Sequence, residues 1–139
     1  MRGFAAAAVL LLVPALPAPA AAQDAVALKP LTQTEISEGI ERGLGCDFRV
    51  GDASYLVVVI GEALINPGSG VHHFRIAEDH SLAIINDGGN FGDSSFRVLV
   101  DRDDAILATA EETVTRKARL TVRSGGAEQT LTGTWNCGA

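Results

Sequence analysis

Apolar residues recur at two different spacings along this chain, and the change from one to the other falls near residue 45. Before it, Ile36 and Ile40 stand one helical turn apart, the spacing that puts two side chains on one face of an α-helix. Thr32-Gln33-Thr34-Glu35 has the S/T-x-x-E form of a capping box, with Leu31 and Ile36 placed as a hydrophobic staple. The pattern predicts one helix over about residues 33–42, ended by Gly43 or Gly45.

From Cys46 onward the period is two. Cys46, Phe48 and Val50 alternate with Asp47 and Arg49, and Gly51-Asp52 turns the chain. Residues 55–60 are apolar on both faces, so this strand needs cover on both sides, and the single helix is the cover at hand through Ile36 and Ile40. Residues 63–66 extend it before Pro67-Gly68-Ser69-Gly70 turns again. Residues 71–77 and 82–87 read as a hairpin around Glu78-Asp79-His80-Ser81, and residues 88–93 as a Gly/Asx loop. Residues 96–100 return as a strand, Asp101-Arg102-Asp103-Asp104 reads as a turn, and residues 105–110 as a short strand.

The cleanest alternation is at 114–122. Val114, Ala118, Leu120 and Val122 face one way, and Thr113, Thr115, Lys117, Arg119, Thr121 and Arg123 the other, which predicts a strand with one solvated face. After Ser124-Gly125-Gly126 the last strand puts Leu131, Trp135 and Cys137 on one face. The expected fold is mainly β: a small antiparallel meander of seven or eight strands, closed as a barrel or sandwich, with one short N-terminal helix.

The first 22 residues stand apart from this fold. Arg2 gives a positive start, an apolar run follows, and Ala20-Ala21-Ala22 forms a small-residue cleavage site before Gln23. This is the pattern of a secretory signal peptide; its prolines at 14, 17 and 19 and its short apolar run do not suit a membrane-spanning helix. Expected organisation is therefore a signal peptide over 1–22, a leader over 23–30 and one β domain over 31–139, delivered to a periplasmic or extracellular space. In that oxidising compartment the two cysteines, Cys46 and Cys137, are expected to form one disulfide between the first and last strands.

Composition narrows the partners. The balance of 47% hydrophobic to 20% charged residues is that of a globular core, and the length allows one domain. Seventeen acidic against 11 basic residues give a net charge of −6, which disfavours an electrostatic grip on nucleic acid or an anionic membrane. Against this background Lys117, Arg119 and Arg123 form a positive row that would suit a protein with an acidic surface.

Candidate chemistry is thin. His72 and His73 fall on opposite faces of a strand, where they cannot grip one ion together. Residues 86–93 lack the alternate acidic positions of a calcium loop and the lysine of a phosphate loop. Ser54 and Ser69 have no G-x-S-x-G setting. The pattern assigns no catalytic residue, metal ligand or cofactor, and it favours a binding module over an enzyme. The alternative is a small metal-dependent or hydrolytic protein using His80 with the Asp-rich turns.

Signal peptide, compact β domain and cysteines near both ends together resemble the periplasmic inhibitors of c-type lysozyme, which carry an S-G-x-x-Y motif on the inhibitory loop. Ser69-Gly70-Val71-His72-His73 matches its first two positions and puts histidine where that family has tyrosine. The family's second motif, rich in Lys-Gly after an aromatic, has no counterpart here. The resemblance implies a protein-binding, inhibitor-like role with Ser69 and Gly70 at the contact.

Overall fold

The computed structural model describes residues 26–138; the expected signal peptide and the first residues of the leader lie outside them. Helix α1 (Gln33–Gly39) starts at the capping box: the Thr32 hydroxyl accepts from Glu35 N–H, and the Glu35 carboxylate accepts from Thr32 N–H. It ends about a turn short of the predicted boundary. A side-chain carbon at Gly39 would meet Leu64 Cδ1 at 2.6 Å, so the helix packs closest on the sheet where it stops.

Eight strands follow: β1 (Gly45–Val50), β2 (Ala53–Val59), β3 (Glu62–Ile65), β4 (His72–Arg75), β5 (Gly89–Gly92), β6 (Arg97–Ala110), β7 (Thr113–Ser124) and β8 (Ala127–Gly138), with a second helix, α2 (Glu78–Asp87), between β4 and β5. All pairs are antiparallel, in the order β4-β3-β2-β1-β8-β7-β6-β5. The sheet is thus a meander whose first and last strands pair, curled into a nearly closed barrel with its seam between β4 and β5. Side chains bridge that seam where the backbone ladder does not: the Phe74 and Phe91 rings meet edge to face at 5.2 Å.

Closure between β1 and β8 places Cys46 directly opposite Cys137, and the two form the expected disulfide. At the other end of the same strand pair, Gly133 lets the strands come together at a corner: a side-chain carbon there would clash with the Arg49 carbonyl oxygen. Phe48, Leu56, Val58, Ile65, Phe74, Val98, Val100, Leu120, Val122 and Trp135 fill the barrel interior. A second cluster lies outside, where Leu31, Ile36 and Ile40 cover Val57, Val59 and Leu64. These two layers explain why β2 is apolar on both faces.

Three expectations need correction. Residues 82–87, read as a hairpin strand, belong to α2, which plugs one end of the barrel with Ser81, Ile84 and Ile85; the apolar run is too short for periodicity to separate helix from strand. The Asp101–Asp104 segment is not a turn. It lies within β6, where two bulges take up the extra residues and Arg119 stands opposite Asp101. Residues 89–92, read as loop, form β5, anchored by buried Phe91. The described part of the leader also docks on the domain: Ala27 N–H donates to the Pro67 carbonyl, Lys29 N–H to that of Asn66, and Leu28 is buried.

Candidate functional site

The Pro67–Gly70 loop joins β3 to β4 at the end of the barrel opposite α2. Asn66 Oδ1 accepts from Gly68 N–H at 3.0 Å and Gly70 N–H at 3.3 Å. Both glycines have positive φ, and a side-chain carbon on Gly68 would meet the Ala27 carbonyl oxygen at 2.9 Å. Ser69 and Gly70 are exposed at the tip of a loop held by its own backbone.

The basic row sits on the outer face of β7, as its alternation predicts, but two of its charges are already engaged. Arg119 reaches Asp101 on β6 at 3.2 Å, and Arg123 donates twice to one Glu128 oxygen on β8, at 2.8 and 2.6 Å. Among the described residues Lys117 has no carboxylate within 4.0 Å. Among the described residues the row therefore offers one free cation rather than three.

Each histidine has a separate partner. His72 Nε2–H donates to the Asp93 carboxylate at 2.7 Å across the barrel seam, its ring wedged edge-on against Phe74 and Phe96, each 4.7 Å away. His73 points outward and donates to Glu62 at 3.0 Å; this bond is the main cause that holds the Glu62 carboxyl below its usual range. His80, on α2, donates to the Asn90 carbonyl at 2.8 Å. Among the described residues no three His, Cys, Asp or Glu side chains gather as a metal site would require. His80 and the Asp-rich segment are thus not brought into one constellation.

A different region forms a surface feature. A groove of about 580 Å³ runs over the outer faces of β1, β2, β7 and β8, walled on one side by α1 through Gln33 and Ile36 and on the other by Ala110 and Thr113. Its floor is a polar belt across four strands. Ser54 Oγ donates to Asp47 at 2.7 Å, the Arg49 guanidinium also grips Asp47, and Thr115 Oγ1 donates to Asn136 Oδ1 at 2.9 Å. Asn136 Nδ2 donates to Thr134 Oγ1 at 3.1 Å. Alternation of Asp47 and Arg49 around Phe48 was the available signal for this outer floor.

The far wall belongs to an arm. β6 pairs with β5 only over Gly89–Gly92, at residues 97–100; beyond that its second edge meets no strand among the described residues. Every residue from 103 to 113 is exposed, including Ile106 at 54% and Leu107 at 55%. The turn puts Glu111 at φ 53°, a left-handed conformation that costs a non-glycine residue about 1 kcal/mol or more. No family model, curated protein or solved structure matches this chain, so the likeness to the lysozyme inhibitors rests on layout and the Ser69-Gly70 pair alone.

Proposed function

We propose that this protein is an exported, non-enzymatic binding module that holds another protein on the outside of its barrel, with the β6–β7 arm and the groove beside it as the contact surface. The observation that carries this reading is the arm. Two large aliphatic side chains stand more than half exposed on β6 where it runs beyond the short β5, while its partner β7 stays paired with β8 in the barrel wall, and apolar groups exposed on a held strand are stabilised when a partner covers them. The barrel interior supports the same reading, since Phe48, Phe74 and Trp135 occupy the space where a lumenal ligand would sit. The polar belt on the groove floor is satisfied by its own members, which suits a docking floor more than a reacting centre. Export rests on the signal-peptide pattern of residues 1–22, and the Cys46–Cys137 disulfide agrees with an oxidising destination. Among the described residues no helix is long and apolar enough to cross a membrane.

Site-specific photocrosslinking in the producing cell tests the surface. A photoreactive residue replacing Leu107 is expected to give a discrete protein adduct, while the same residue replacing Leu99, also exposed but on the barrel wall where β5 covers β6, gives none. Equal adducts at both positions, or none at 107, would contradict the assignment.

A further inference from the structure

The arm has a composition that its exposure alone does not explain. Residues 105–110 read Ala-Ile-Leu-Ala-Thr-Ala, six positions with no charge, proline or glycine, bracketed by Asp103-Asp104 on one side and Glu111-Glu112 on the other. An uncharged stretch without proline or glycine on an open strand edge is a template for another strand. Along β6 the N–H and C=O groups turn alternately toward and away from β7, an alternation shifted by the bulge between Ile106 and Ala108, and from 101 to 110 no strand among the described residues takes the outward groups. Before residue 105, two carbonyls are already engaged by side chains: Arg102 donates to that of Asp103 at 3.1 Å, and Arg116, from β7, to that of Asp104 at 3.4 Å. The open part of the edge is therefore 105–110, about 20 Å of strand.

Charge selects the occupant. Among the described residues no Lys, Arg or His lies within 4.0 Å of the carboxylates of Asp103, Glu111 or Glu112, and Asp104 is fully exposed although Arg102 reaches it at 3.4 Å. A second copy adding antiparallel over the same six residues would bring Asp103-Asp104 of one chain beside Glu111-Glu112 of the other at both ends, and like charges side by side oppose that pairing. A strand with basic residues at its ends meets the opposite situation at both ends, whichever direction it runs.

We infer that the outer edge of β6 over residues 105–110 is a strand-addition site for an extended protein segment whose uncharged centre is flanked on both sides by lysine or arginine. This rests on the reading of the arm as a protein-binding surface and names what that surface takes. The main chain supplies the affinity, Ile106 and Leu107 supply apolar contact, and the four carboxylates supply selectivity and a salt-sensitive association rate.

The test uses the full exported chain and fluorescent decapeptides in anisotropy titrations. One carries alternating valine and threonine between two Lys-Arg pairs; a second has the same centre between two Asp-Glu pairs; a third keeps the basic flanks but is N-methylated at alternate central residues, which removes the donors a strand needs. The first is expected to bind at least about tenfold tighter than either control, more weakly as salt rises, and to lose binding to an I106K/L107K chain that melts at the wild-type temperature. Binding that ignores the flanks or the N-methyl groups overturns the inference. So does a concentration-dependent dimer that I106K/L107K abolishes, since the edge would then serve a second copy. A crosslinked adduct at position 107 without peptide binding would sink strand addition and leave the binding module standing; loss of both would remove the parent reading as well.

Discussion

His72 and Asp93 stand 2.7 Å apart where β4 and β5 fail to pair, and they carry the polar part of the barrel's seam. Burial pushes the Asp93 carboxyl up, but hydrogen bonds from His72 and from the Phe96 and Ser95 N–H groups outweigh it and hold the acid below its usual range. A depressed carboxylate stabilises the fold fully above its unfolded value near 4, and that contribution is lost as pH falls through the folded value. In Asp93→Asn the amide oxygen can still accept from Ser95 and Phe96, so the change falls on the charge facing His72. The variant should melt lower than wild type at pH 7, modestly because both side chains are partly exposed, and the gap should close below about pH 4. A gap that stays constant with pH in thermal melts would assign the effect to loop geometry instead. No sequence signal joins these two residues: they are 21 positions apart, and of the rings that orient His72 one, Phe74, lies on its own strand while the other, Phe96, comes from the turn that holds Asp93.

Between elements, what the alternation of apolar residues reveals depends on whether the buried face is apolar throughout. β7 was legible because Ala118, Leu120 and Val122 are buried at strict twofold spacing. α2 was not, because Ser81 interrupts its buried stripe of Ser81, Ile84 and Ile85. That serine is fully buried; its Oγ accepts from Gly61 N–H at 2.9 Å and donates to the Glu78 carbonyl at 2.7 Å. Ser81→Ala would remove the acceptor of the part-buried Gly61 N–H and leave the Ser81 cavity in the interior, and should cost about 1–3 kcal/mol by denaturant unfolding. A loss below about 0.5 kcal/mol would mean that Gly61 finds another acceptor. β6 was split for a related reason: an Asp-Arg-Asp-Asp run reads as a turn, yet its charges find Arg119 across the ladder and a fold-back contact from Arg102 to Asp104. The groove floor was equally hidden, since Asp47, Thr115 and Asn136 come together only through the β1–β8 and β7–β8 registers.

As a whole molecule the protein is held as a ring by one non-consecutive pairing, β1 with β8, and by the disulfide across it. The cysteines at either end of the β region made that closure readable in advance, together with the strand count and the covering helix; barrel against sandwich depended on curvature that twofold patterning does not encode. Mass spectrometry should show the oxidised chain two protons lighter than the reduced one with no thiol to alkylate, and reduction should remove up to about 4–5 kcal/mol through the long loop it opens. A chain whose melt ignores reductant would mean that the β1–β8 ladder alone holds the ring. The ring leaves β6 projecting past β5, and the central claim is that this projection is an ordered strand with one edge open to a partner. Residue-resolved amide hydrogen exchange on the free protein tests that most directly. Within 105–110 the amides turned toward β7 should be protected and those turned outward should exchange fast, with the alternation shifted where the bulge between Ile106 and Ala108 inserts a residue. Uniform protection would show that the edge is already covered, and uniform fast exchange that the arm is no strand; either result contradicts the account.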